Sequence, residues 1–157
     1  MVEKQFVIPY LEFSSVEELP SEDKELALSA ISAIDGAYAP YSHFHVGAAV
    51  RLTSGTIVKG ANQENAAYPS GLCAERTAMF AAGANYPDEQ ILSLAVAASQ
   101  NGELCVEPAA PCGACRQVMA QYQRKSGQNL SVILVGSGSV LKFARVDDIL
   151  PLIFDNI

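Results

Sequence analysis

The sequence predicts an α/β protein built in three layers, α/β/α, with a mixed five-stranded sheet between the helices. Segments with helical spacing of apolar residues alternate along the chain with short apolar segments typical of strands, and this order favours a sheet covered by helices on both faces. Half of the 157 residues are apolar and only 17% are charged, which excludes a disordered chain and allows one sizeable core. We therefore expect a single domain.

The first 20 residues are expected to form an N-terminal extension of unclear role, followed by one domain over residues 21–157. Within the extension, residues 5–10 could form an edge strand, because Pro9 would keep this segment away from the centre of a sheet. We detect no internal repeat, low-complexity segment or linker that would divide the rest of the chain.

The first helix is predicted to begin at Ser21, a good N-cap, and to end near Ala39, because Pro40 disfavours helical backbone in the residue before it. Its apolar residues recur at helical spacing. They are Leu26, Ala27, Ala30, Ile31, Ile34 and Tyr38.

Five strands and two more helices are predicted after this helix. The strands are expected over residues 46–52, 56–61, 91–98, 130–135 and 140–143. The helices are expected over residues 73–84 and 113–125, with a helical turn over residues 147–150. The third strand is almost entirely apolar, as in a strand whose two faces are both covered.

The chain is acidic, with 10 Lys and Arg against 17 Asp and Glu and a net charge of -7. A field of this sign repels polyphosphate, so we expect no nucleic-acid partner and favour a small neutral substrate. No apolar run approaches the roughly 20 residues that cross a bilayer, and the N-terminus lacks the pattern of a secretory signal. We therefore expect a cytoplasmic protein with no membrane partner. In a reducing compartment, its four cysteines indicate metal ligands or redox groups before disulfides.

Three of the cysteines suggest a metal site. Cys112 and Cys115 form a Cys-x-x-Cys pair, which is either a thioredoxin-like redox pair or half of a zinc site. The pair comes late in the chain and follows Pro111, which favours zinc. Cys73 lies at the start of a predicted helix, as Cys112 does, and helix N-termini favour thiolates. Three protein ligands leave one position of a tetrahedral zinc open, as in a catalytic site.

Glu75 lies two residues after Cys73 and is the candidate proton carrier. It cannot easily reach a metal that Cys73 already binds, but it can take a proton from a water in the open position and return it to a leaving group. The alternative is a closed structural site with His43, His45 or Cys105 as the fourth ligand, which would leave Glu75 without a role. We expect the two histidines to be solvated or satisfied in the core, and Cys105 to be a small buried hydrophobic residue.

Cys73-Ala74-Glu75 followed by Pro111-Cys112-Gly113-Ala114-Cys115 matches the motif of zinc deaminases. Beyond this motif, the chain resembles the short, tetrameric type of cytidine deaminase. The matching segments lie within residues 39–49, 60–68, 73–78, 111–117 and 150–154. The resemblance implies a cytidine deaminase-like fold, one Zn²⁺ per chain, and hydrolytic deamination of cytidine and 2′-deoxycytidine with release of ammonia, as in pyrimidine salvage.

The resemblance also implies roles for residues near the metal. Asn62 and Glu64 would bind the ribose hydroxyls, and Phe44 would pack on the pyrimidine ring. Backbone groups around Ala74 would hold the polar edge of that ring. Arg76 would donate to a thiolate sulfur and offset the negative charge of three thiolates on one Zn²⁺.

Three more matches imply that the active site is shared between chains. Ala66 and Tyr68 match positions that line a neighbouring subunit's pocket, and Phe154 matches an aromatic residue contributed across an interface. The resemblance therefore implies a homotetramer whose sites are completed by other chains.

Other functions stay open at this point. A deaminase for a modified nucleoside such as blasticidin S has the same metal motifs, although Asn62 and Glu64 argue against it. Deaminases of polynucleotides need a basic channel, which the charge of this chain disfavours. The protein could also be a zinc-binding module or a catalytically silent partner subunit.

Overall fold

A computed structural model of the chain describes residues 1–155 and shows three layers, with one helix on one face of a sheet and two helices on the other. The helices are α1 (Ser21–Ala33), α2 (Ala74–Asn85) and α3 (Gly113–Ser126). The strands are β1 (Leu11–Phe13), β2 (Phe44–Leu52), β3 (Ile57–Ala61), β4 (Ile91–Gln100), β5 (Glu103–Leu104), β6 (Ser131–Val135) and β7 (Val140–Phe143). Residues 156 and 157, the last two of the predicted domain, lie outside the described residues.

The strands form one mixed sheet in the order β1-β7-β6-β4-β2-β3, with β5 paired to the end of β4. β4 and β6 pair in parallel, and the other paired strands are antiparallel. The predicted α/β/α fold class is confirmed. The sheet has two more strands than the five predicted, because β1 and β5 contain only three and two residues. Strands this short carry no readable alternation of polar and apolar residues.

Each face of the sheet has its own apolar core. α1 packs through Leu26, Ala27 and Ala30 on one face. α2 and α3 pack on the other face, where Met79 and Met119 are fully buried. Since β4 and β6 lie between the two cores, their side chains are buried on both sides, as the nearly continuous apolar sequence of β4 indicates.

The position of α2 depends on Gly60 in β3. A Cβ atom at Gly60 would lie 2.4 Å from the backbone nitrogen of Ala78 and 2.8 Å from the backbone oxygen of Ala74. Both distances are too short for real contacts, so only glycine allows α2 to lie this close to the sheet. This approach fixes the start of α2, where Cys73 is the N-cap residue and Glu75 lies in the first turn.

The N-terminal segment differs from its prediction. The edge strand is Leu11–Phe13, paired with β7, whereas residues 1–10 are exposed and form neither helix nor strand. The predicted N-cap is wrong by one residue: Ser21 is the first helical residue, and Pro20 occupies the cap position without a side-chain hydrogen bond. No helix in the described part of the chain combines the length and apolar character that a bilayer span requires.

The C-terminal end of α1 was also predicted wrongly. The helix ends at Ala33 and continues as a 3₁₀ turn over Ile34–Gly36, well before the predicted end near Ala39. The chain leaves the helix because Tyr38 forms a parallel bridge with Gln63, a residue in the loop after β3. This bridge fixes the two loops that border the candidate site.

Candidate metal centre and substrate cavity

The three predicted ligands meet where the N-termini of α2 and α3 converge. Cys73 and Cys112 occupy the N-cap positions of α2 and α3, and Cys115 lies in the first turn of α3. All three sulfur atoms lie within 4.8 Å of one another. The Sγ atoms of Cys73 and Cys112 are 3.9 Å apart, and those of Cys112 and Cys115 are 3.5 Å apart.

This arrangement fits a zinc ion. Thiolates about 2.3 Å from a tetrahedral Zn²⁺ lie about 3.8 Å from one another, close to the observed separations. Among residues 1–155, the group has three members and does not include His43, His45 or Cys105. A closed site made by one chain with one of those residues as fourth ligand is therefore wrong. Cys105 is half-buried, less than expected for a core residue.

Arg76 lies beside the sulfur cluster, where the sequence places it. Its Nη2 donates to the Sγ of Cys73 at 3.5 Å, while its Nε is buried and has no hydrogen-bond partner among the described residues. The hydrogen bond from the thiol of Cys115, together with that from Arg76, lowers the pKa of Cys73 to about 5. A thiolate at Cys73 is therefore stabilised by the protein, which favours metal binding.

Glu75 is buried in the first turn of α2, with 5% of its surface exposed. Glu75 lines the same cavity as Cys73 and Cys112. Burial raises the pKa of Glu75, and the nearby charge of Cys73 adds to this effect. A carboxyl group with a raised pKa is suited to accept and release a proton near neutral pH.

A cavity of about 290 Å³ lies beside the cysteines and Glu75. It is lined by Ser42, Phe44, Val46, Asn62, Glu64, Tyr68, Cys73, Ala74, Glu75, Val96, Ala109, Ala110 and Cys112. The cavity therefore brings together most of the residues predicted for catalysis, metal binding and substrate binding. Among these lining residues there is no lysine or arginine.

Five of the lining residues were not assigned to the site from the sequence. Ala109 and Ala110 directly precede the Pro111–Cys115 motif, so their position beside it could have been inferred. Val46 and Val96 lie on the neighbouring strands β2 and β4, and only the strand pairing shows that both reach the cavity. Ser42 lies within residues 39–49, one of the segments on which the resemblance rests, but nothing in the sequence marks it as a substrate-binding residue.

Asn62 extends the pairing of β2 with β3 by means of its side chain. The ladder between these strands ends at Gly47 and Ala61. Beyond it, the Oδ1 of Asn62 accepts from the backbone nitrogen of Val46 at 2.8 Å, and its Nδ2 donates to the backbone oxygen of Phe44 at 2.9 Å. The amide retains one donor hydrogen and one acceptor lone pair, so it can brace β2 and still bind a hydroxyl group.

Glu64 lines the same cavity and holds the loop that precedes β2. Its Oε2 accepts from the backbone nitrogens of Tyr41, at 2.9 Å, and Ser42, at 3.3 Å. Hydrogen bonding, led by the side chain of Ser42, lowers the pKa of Glu64. Both backbone bonds end on the same oxygen, so the other oxygen retains its capacity to accept a hydrogen bond.

The residues expected to serve a neighbouring subunit lie at the surface. Ala66 and Phe154 do not line the cavity of their own chain, and 69% of the Phe154 surface is exposed. Tyr68 borders its own chain's cavity but is 75% exposed, so most of its ring is available to other contacts.

A three-cysteine metal centre beside a buried glutamate, on an α/β/α sheet, is the arrangement of the zinc-dependent deaminases. Residues 20–128 match the family model described as the cytidine and deoxycytidylate deaminase zinc-binding region. The chain belongs to this family. The resemblance found in the sequence and the assignment as an enzyme are thereby confirmed.

Individual relatives of the chain are also cytidine deaminases. The chain is 45% identical over 102 residues to a cytidine deaminase of Halalkalibacterium halodurans, covering 63% of this chain and 71% of that protein. It is also 45% identical over 107 residues to a cytidine deaminase of Sporosarcina psychrophila, covering 68% of this chain and 69% of that protein.

Solved structures of cytidine deaminases have the same fold. The enzyme of Burkholderia pseudomallei superposes with a TM-score of 0.70 at 40% identity, over 83% of this chain and 97% of that chain. The enzyme of Mycobacterium tuberculosis superposes with a TM-score of 0.66 at 33% identity, over 84% of this chain and 96% of that chain.

Proposed function

We propose that the protein deaminates cytidine and 2′-deoxycytidine to the uridines and releases ammonia, using one Zn²⁺ held by Cys73, Cys112 and Cys115. One observation carries the proposal: a single cavity joins the cysteines and Glu75 to the polar groups of Asn62 and Glu64. The relatives named cytidine deaminases support the choice of substrate. A role in pyrimidine salvage is the corresponding physiological proposal.

The chemistry divides between the ion and the chain. Zinc bound to these sulfurs would supply a Lewis acid that makes a coordinated water acidic near neutral pH. Glu75 takes a proton from the attacking water and passes it to N3 of the pyrimidine as the water oxygen adds to C4. Glu75 then carries the second proton of that water, from the hydroxyl group now on C4, to the amino group. The C4–N bond breaks, the C4 carbonyl forms, and the amino group leaves as ammonia. The raised pKa of Glu75 suits both transfers.

The remaining cavity residues hold the nucleoside. Phe44 packs on the pyrimidine ring, and backbone groups around Ala74 and Pro111 bind its polar edge. The free hydrogen-bonding capacity of Asn62 and Glu64 binds the ribose hydroxyls. Discrimination by such polar groups is large, because a ligand without the hydroxyls would leave them unpaired.

We also propose a nucleoside rather than a nucleotide as the substrate. The lining residues include two carboxylates and no lysine or arginine. A 5′-phosphate would find no cation there and would enter against the net charge of -7. The cytoplasmic location and the absence of a nucleic-acid partner stay predictions from the sequence.

A homotetramer is the proposed assembly, with Ala66, Tyr68 and Phe154 contributing to the sites of neighbouring chains. The exposure of Tyr68 and Phe154 supports this proposal, because large aromatic side chains gain most from burial at an interface. A groove of about 350 Å³ over α2 and α3, lined partly by Phe80 and Val118, offers further apolar surface. Light scattering should give four times the chain mass of 16.7 kDa.

The test is the fall in ultraviolet absorbance when the purified protein meets each of four substrates: cytidine, 2′-deoxycytidine, CMP and blasticidin S. We expect turnover of the first two and little or none of CMP and blasticidin S. Zinc content is measured on the same preparation and should approach one ion per chain. No absorbance change with any of the four in zinc-loaded protein would contradict the proposal and favour a non-enzymatic role.

A further inference from the structure

The C-terminal segment is fastened to α3 by the side chain of Gln117. The Nε2 of Gln117 donates to the backbone oxygen of Phe154 at 2.8 Å, and its Oε1 accepts from the backbone nitrogen of Phe154 at 3.2 Å. One amide therefore satisfies both backbone groups of one residue, as a neighbouring strand would do. This pair of bonds fixes the position and also the orientation of the backbone at Phe154.

Neighbouring contacts hold the same segment in register. Asp155 forms an ion pair at 3.4 Å with Arg124, which lies two turns after Gln117 on α3. Ile153 packs against the apolar core between the sheet and the helices α2 and α3. The segment is thus held on both sides of Phe154, yet 69% of the surface of Phe154 remains exposed. The backbone of Phe154 is therefore held by several contacts, although its side chain is largely exposed.

Gln117 also connects this segment to the metal centre. It lies two residues after Cys115, and the preceding Arg116 donates to the backbone oxygens of Pro111 at 2.8 Å and Ile149 at 2.9 Å. The helix that begins at the metal ligands therefore carries the bonds that fix the C-terminal segment. The exposed ring is held at a defined distance from the cysteines of its own chain by one rigid element.

We infer that Gln117 is a positioning residue, which holds the backbone of Phe154 so that the exposed ring is presented to the active site of a neighbouring chain. The inference rests on the proposed function, because it takes the deaminase site to be shared between chains. Gln117 touches neither substrate nor metal in this role and acts only through Phe154. Its loss should therefore weaken the site only while the Phe154 ring is present.

The test is a double-mutant cycle measured by steady-state deamination of cytidine. Gln117→Met keeps the approximate size of the side chain and removes both hydrogen bonds, and Phe154→Ala removes the ring. We expect each single variant to raise KM, on the order of 10-fold for Gln117→Met, because two ordinary hydrogen bonds hold the segment in its competent position. We expect the double variant to match Phe154→Ala alone, with zinc content unchanged throughout.

Gln128→Met is the matched control, since it removes an exposed amide contact with Gln90 on the surface and should leave KM unchanged. If the Gln117 clamp only stabilised the fold, its loss would lower the melting temperature and would change KM equally with and without the Phe154 ring. Additive effects on KM would therefore overturn the inference. A KM of Gln117→Met equal to that of the wild type would also overturn the inference. A wild-type chain that does not deaminate cytidine would overturn the proposed function and this inference with it, whereas additivity in an active enzyme overturns the inference alone.

Discussion

Replacement of Asn62 by alanine should destabilise the empty protein as well as weaken substrate binding. The side chain of Asn62 satisfies the backbone nitrogen of Val46 and the backbone oxygen of Phe44, where β2 runs beyond its ladder with β3. Alanine leaves both groups without these partners. At about 1 kcal/mol net per hydrogen bond, the free energy of unfolding should fall by about 2 kcal/mol. KM for cytidine should rise, because the backbone that carries the Phe44 ring loses its brace.

Urea unfolding of the metal-loaded protein without substrate measures the first effect separately from ribose binding. Gln63→Ala is the control: it removes one exposed hydrogen bond, from Gln63 to the backbone oxygen of Gly36, and should cost less. Asn62→Asp places a carboxylate beside the Phe44 oxygen, so its protonated form is favoured in the folded state. Because the folded state then binds more protons, the stability of Asn62→Asp should rise as the pH falls. An unfolding free energy for Asn62→Ala within about 0.5 kcal/mol of wild type would refute the bracing role.

Two further predictions follow from the geometry around α2. Arg76→Ala removes the donor to the Cys73 sulfur and should weaken zinc binding by about 10- to 100-fold, measured by competition with a chelator. The zinc affinity of Arg76→Lys should lie between those of Arg76→Ala and wild type. Equal zinc affinities in Arg76→Ala and wild type would contradict the role given to Arg76. Gly60→Ala places a Cβ against the α2 backbone and should cost about 1–3 kcal/mol of stability, measured by urea unfolding. Gly55→Ala, where no atom lies within 4 Å of the added Cβ, controls for packing and tests only the backbone strain of its turn.

Much of the fold and the metal centre could be predicted from the sequence, because the relevant information is local. The helix over Ala74–Asn85 and the strand over Val140–Phe143 were predicted to within one residue. The three cysteines could be grouped because each lies at or near a helix N-terminus, and such positions favour thiolates. Local pattern and ligand chemistry pointed to the same site.

Features that depend on contacts between distant parts of the chain could not be predicted in this way. The early end of α1 follows from the bridge between Tyr38 and Gln63. Asn62 was expected to bind ribose, and its bonds to the β2 backbone became visible only when the register of β2 and β3 was known. The roles of Ala66 and Phe154 depend on neighbouring chains, so their contribution to a site stays a prediction.

The central claim is that three cysteines bind a catalytic zinc while Glu75 carries the protons. Zinc content and cytidine turnover of Glu75→Gln, measured on the same preparation, test it most directly. Glutamine keeps the size and hydrogen-bonding shape of the side chain but cannot shuttle protons, so the variant should retain about one zinc per chain and lose nearly all turnover. Wild-type turnover in a zinc-loaded Glu75→Gln protein would contradict the account.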